Sequence, residues 1–248
     1  MPDLLQIIVT SLVLMGAAFV IGAIGFGFGL TTSPILLLIL DPQTVVVVIN
    51  AVAILAFALV LAETRQHLRN RELAPMGIAA VLGTPIGVFA LSTLDPSVLR
   101  ITIGVLVLIL TALVVFNAEW RVPYPRISGP VLGLISSAST TGLAIGGPIL
   151  VLFFLGRRMG RDNVRASMAF FFTIMYIAAA VGYAVQGLFT LERLILIAGA
   201  APTVAIGYWI AIRLTGRMNE KVFRTTVVVV VVISSLVVVG RELLALLG

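Results

Sequence analysis

Cysteine is absent from the 248 residues and histidine occurs once. That removes disulfides, thiolate metal sites, cysteine nucleophiles and thiol redox chemistry, and a single imidazole does not assemble a transition-metal site. Charge is scarce too: Asp, Glu, Lys and Arg make up 10% of the chain, against roughly 25% in an ordinary soluble domain. Lys221 is the single lysine, and the other basic residues are arginines placed mostly between or beside apolar runs. The formal charge of +6 is therefore topology information rather than a polyanion patch, and no nucleic-acid partner is expected.

What the chain has instead is apolar surface, with 60% hydrophobic residues and a mean hydropathy of +1.21. Apolar segments are predicted over 4–23, 26–40, 43–62, 73–91, 98–118, 128–141, 143–156, 165–186, 191–212 and 223–247. Ten such pieces with no soluble module between them describe an all-α polytopic membrane protein whose surroundings are lipid. Met1-Pro2-Asp3-Leu4-Leu5 has no basic n-region, so the first run is read as a retained transmembrane segment.

Arginine-rich connections fall at 63–72, 119–127, 156–165 and 213–224, whereas 41–43, 92–97 and 187–190 carry no Lys or Arg. The positive-inside rule puts the first set in the cytoplasm and both termini in the periplasm. Because the connections flanking 128–156 are then both cytoplasmic, that stretch goes in and comes back, as two pieces too short to span separately. Residues 4–40 form the corresponding broken pair. The chain divides accordingly into a first repeat at 1–118, a cytoplasmic linker at 119–127 and a second repeat at 128–248. Five pieces per repeat is an odd number, which turns the second copy upside down, and the alternation of basic and uncharged connections agrees. Gly83-xxx-Gly87 and Gly207-xxx-Ala211 echo one another and read as small-residue packing surfaces.

The two broken pairs carry the site. The first break, Gly25-Phe-Gly27-Phe-Gly29-Leu-Thr31-Thr32-Ser33-Pro34, predicts a helix restarting with Ser33 as N-cap and Pro34 at its first position. The second, Ser136 to Pro148, contains Ser139, Thr140, Thr141, Gly146 and Gly147 before its own proline. Each restart presents unsatisfied N–H groups and a positive dipole end in mid-membrane, and two of them facing each other suit a small oxyanion. The substrate-binding set read from the sequence is Gly29, Thr31, Thr32, Ser33, Asn50, Ser139, Thr140, Thr141, Gly146, Gly147 and Arg165. The competing reading has the hydroxyls bonding to the carbonyl four residues back. Asn50 is either interhelical glue or a substrate contact, and Arg165 either snorkels to the interface or forms the inner mouth of an anion path.

The segments Gly22-xx-Gly25-Phe-Gly-Phe-Gly29, Ser33-Pro34, Asn50-Ala-Val-Ala, Gly142-xxx-Gly146-Gly147-Pro148 and Arg165-Ala-Ser167 resemble the TauE/SafE family of membrane transporters. The resemblance covers nearly the whole chain. It implies passage, with export as the expected direction, of small sulfur-containing anions such as sulfite or organosulfonates across the bacterial cytoplasmic membrane. No cofactor and no metal are expected, and a homo-oligomer is compatible with the sequence. An anion channel is the alternative, distinguished by steady conductance. An intramembrane enzyme acting on a phosphorylated lipid fits less well, because neither break contains the Glu or Arg such chemistry needs, and the lone His67 lies in a basic connection. Asp41, Asp95, Asp162 and Glu192 fall at helix ends, leaving no obvious proton relay.

Overall fold

The computed structural model describes residues 2–68, 70–115, 125–157, 159–214, 228–229, 231–240 and 244. Helices account for nearly all of them: α1 (Leu4–Ile24), α2 (Phe28–Leu36), α3 (Pro42–Thr64), α4 (Asn70–Thr93), α5 (Pro96–Val115), α6 (Pro125–Leu143), α7 (Gly147–Gly156), α8 (Arg161–Val185) and α9 (Leu191–Leu214), then α10 (Val231–Gly240). A single 3-10 turn, Arg65–His67, follows α3. No strand occurs among the described residues. The linker at 119–124 and much of the basic connection at 213–224 lie outside them.

Local chemistry sets the ends. Asp41 caps α3 by accepting from the Thr44 amide at 2.9 Å, with Pro42 in the first turn where its missing N–H costs nothing. Gln6 Oε1 takes the Asp3 amide at 3.0 Å ahead of α1. Gly25 and Gly27, at φ 94° and 96°, turn the chain out of α1 and into α2, a backbone conformation that an L side chain resists by roughly 1–2 kcal/mol.

α3 and α8 form the centre. Val45 to Asn50 of α3 are all buried, so the first half of this helix is enclosed on every side, and Val52, Ala53, Ala56, Phe57 and Val60 continue its buried face. α1 lies along α9 on one flank and α4 along α6 on the other. Glycines set both approaches: a Cβ on Gly83 or Gly87 would run into the α6 backbone, one on Gly207 into the Met15 carbonyl of α1, and one on Gly22 into Ala211. The two sequence echoes thus do the packing expected of them.

The outward faces are as apolar as the interior. Ile78, Leu82 and Phe89 of α4 are 63–64% exposed, and Leu4, Leu5 and Leu12 of α1 more than half. Such a belt is far larger than a soluble monomer tolerates, and six helices are long and apolar enough to cross a bilayer. The protein is an all-α, multi-pass membrane protein.

Two expectations need correction. α2 starts at Phe28 with Gly27 as its N-cap, and Pro34 lies inside it, six residues later than its first position. α6 is 19 residues long rather than a half-helix over 128–141, so its length is about 28 Å. The same observation accompanies both: the hydroxyls are satisfied inside an unbroken helix by bonding back to carbonyls four residues earlier. Thr32 donates to the Phe28 carbonyl (2.7 Å), Ser33 to Gly29 (2.7 Å), Thr140 to Ser136 (2.7 Å) and Thr141 to Ser137 (2.9 Å). The chain breaks at 25–27 and 144–146, beside the hydroxyl runs instead of within them.

Candidate functional site

The two breaks touch. A Cβ on Gly29 would overlap the Ala144 carbonyl oxygen, and the Cβ position of Gly147 is 4.0 Å from the Gly27 nitrogen. α2 and α7 therefore begin beside one another, and their first turns border a common pocket. Its floor is the two glycine turns, and its wall is Phe57 of α3 with Phe172 and Tyr176 of α8. The rings pack mutually at centroid separations of 5.0, 5.5 and 5.7 Å.

The pocket is narrow and partly open, with room for about one water.

Four of the residues singled out by sequence, Gly29, Thr140, Gly146 and Gly147, line this pocket. The Thr140 proton is committed to Ser136, and the Ser139 hydroxyl donates to Ile145 O, within the second break. Thr31, Thr32 and Ser33 spend their protons on carbonyls of α2. With these hydroxyls committed, the donors left among the lining residues include the opening N–H groups of α2, which lack intrahelical acceptors. α7 contributes fewer, since Pro148 has no N–H and the Ile149 amide already donates to the Gly146 carbonyl at 3.2 Å. Tyr176 brings a phenol that the sequence left between cavity and interface.

Asn50 of α3 and Arg165 of α8 lie one step away, each bonding to the last turn of a helix that precedes a break. Asn50 Nδ2 donates to the Thr140 carbonyl at 2.9 Å and to the Tyr183 hydroxyl at 2.5 Å, and that hydroxyl donates to the Thr141 carbonyl at 2.5 Å. These are last-turn carbonyls of α6, and that of Thr140 also accepts from the Ala144 amide at 2.8 Å. Arg165 does the equivalent for α1, donating to the Gly22 carbonyl at 3.3 Å. It also pairs with Glu63, at 3.2 Å, a residue the sequence reading passed over because a lone Glu at a helix end is unremarkable there. Arg193, equally unremarked, is 8% exposed and ties α9 to α3 through Thr44 (2.9 Å) and Gln43 (3.3 Å). Among the described residues no cluster of three His, Cys, Asp or Glu exists that could hold a metal ion.

No curated protein and no solved structure matches the chain. A family model does: the one described as Sulfite exporter TauE/SafE matches residues 10–238, and the chain belongs to that family of membrane transporters.

Proposed function

We propose that the chain carries a small oxyanion, sulfite or an organosulfonate, outward across the bacterial cytoplasmic membrane, and that the anion binds between the first turns of α2 and α7. The observation that carries this reading is the convergence of two broken-helix starts on one pocket. Amides and helix dipoles held there by glycine turns stabilise one negative charge without a lysine or arginine in the pocket lining. Thr31, Thr32, Ser33, Ser139 and Thr141 act behind it, fixing the helix geometry that aims those amides, while Asn50 and Arg165 hold the helix ends.

The two halves, 1–118 and 128–248, are proposed as inverted repeats. Exchanging α1 with α6 and α4 with α9 turns the α1–α9 flank into the α6–α4 flank, and α3 against α8 maps onto itself. Alternating access then consists of the two flanks rocking about α3 and α8. In the orientation proposed, the termini are periplasmic and Arg65, His67, Arg157 and Arg213 are cytoplasmic. Arg213 sits over the Trp209 ring at 3.6 Å, as an interfacial cation–aromatic pair would. A cysteine placed at position 67 of this cysteine-free chain should react with an impermeant maleimide in inverted vesicles and not in intact cells. Labelling from outside would refute the orientation.

A thermal-shift series on the purified protein tests the substrate class. A ligand at a hundred times its Kd stabilises by about 2.7 kcal/mol, several degrees for a chain of this size. Sulfite at a pH where its singly charged form dominates and a singly charged alkanesulfonate should give such shifts, with the dianion sulfate giving a much smaller one, because a second charge is costly to desolvate. Equal shifts for all anions would contradict a built site.

A further inference from the structure

A polar cluster separate from the pocket lies one to two turns from it, where α3 ends and α8 begins. Arg165 Nη1 and Nη2 donate to the two carboxylate oxygens of Glu63 at 3.4 and 3.2 Å, and Nη2 also reaches the Gly22 carbonyl. Its stem lies across the first break, with Cγ 2.5 Å from where a Gly25 Cβ would stand. Arg165 Nε is buried without an acceptor. The hydroxyl of Tyr208, on α9, donates to the same Glu63. The arginine side chain is 13% exposed and the glutamate 42%, so the carboxylate is the outer member of the pair. Phe57, six residues before Glu63 on α3, and Met168, three after Arg165 on α8, both line the pocket. Along the helix axes the pair therefore stands roughly 5–9 Å from it.

We infer that Glu63 is a tethered stand-in for the transported anion: its carboxylate occupies the Arg165 fork until an oxyanion arriving from the cytoplasmic side takes its place. This rests on the anion reading above. A guanidinium fork accepts two oxygens of a sulfite or sulfonate in the same paired geometry as a carboxylate. Once displaced, Glu63 keeps its bond from Tyr208, while Arg165 and the anion sit against the turn that leads to the pocket. The strut linking α8 to the end of α1 and to α3 is thereby rearranged, so anion arrival and loosening of the first break are the same event. The second break has no such device, since the carbonyls ending α6 are held by the neutral Asn50 and Tyr183. Charge exchange at the first break makes the cytoplasmic side the loading side.

Sulfite titration calorimetry on the full chain separates this latch from a structural ion pair. Glu63→Gln keeps the shape and the Tyr208 bond but frees the guanidinium, and sulfite should bind roughly tenfold more tightly. Arg165→Gln should weaken sulfite binding roughly tenfold or more, with Arg165→Lys falling between it and the native protein because it keeps charge and loses the fork. A gain of affinity in Glu63→Gln is not something misfolding produces. If the native protein binds sulfite and Glu63→Gln binds it no better, the latch is overturned and the pocket stands. If the native protein binds no sulfite, the anion reading falls and the latch with it.

Discussion

Gly29→Ala will abolish transport in proteoliposomes, while Gly147→Ala will leave it within a few-fold of native. The two glycines sit on opposite sides of one contact but face different neighbours. A methyl on Gly29 would occupy the volume of the Ala144 carbonyl oxygen, and both partners are backbone, so no rotamer change relieves the overlap. Overpacking of this kind costs about 1–3 kcal/mol or more. At this position it also pushes α2 off α7 and misaligns the amides. At Gly147 the nearest atom to an added Cβ is 4.0 Å away, ordinary van der Waals range. Melting temperature and sulfite flux, measured together on both variants, check the expectation. Native flux in a folded Gly29→Ala variant would mean that the breaks need not touch during transport.

The fold class was legible because apolar runs of bilayer length impose helices that little else in a sequence can conceal, and the family was legible in the glycine and proline motifs. The segment starts expected at 43 and 98 fall within two residues of Pro42 and Pro96, where the helices begin. The register of the first restart was not legible. Gly25, Gly27, Gly29 and Ser33-Pro34 all offer local reasons to begin a helix, and the choice of Phe28 is made by a neighbour 115 residues away, the Ala144 carbonyl that only a glycine at position 29 admits. Pro34 is tolerated because α2 ends two residues later and its last turn tightens, with the Leu38 amide reaching back to Ile35 and the Ile39 amide to Leu36.

The hydroxyl clusters were expected within the two breaks and lie beside them; Thr31, Thr32, Ser33 and Thr140 donate to carbonyls of their own helices, Ser136 and Ser139 donate across the second break, and Ser137 donates to α4. A sequence shows that Thr32 and Thr140 are near the break and not which way they donate. The Glu63 and Arg165 pairing spans 102 positions, and nothing local to either residue announces it. Charge placement supplies the orientation proposed above, and charge pairing needed coordinates.

The central claim is that the pocket between α2 and α7 holds an anion by backbone amides and helix dipoles, and Gly147→Asp tests it most directly. Position 147 is the first residue of α7, has space for a side chain and borders the pocket. A carboxylate there occupies the proposed site as a covalently attached anion. Acidic residues in a first turn are favoured by about 0.3–1 kcal/mol, up to about 2 when partly buried, so the variant should melt at or above the native temperature. The same charge should exclude sulfite, weakening its binding more than a hundredfold in calorimetry, whereas the uncharged Gly147→Asn should bind within about tenfold of native. A Gly147→Asp variant that melts like the native protein and binds sulfite with native affinity would place the anion elsewhere and contradict the account.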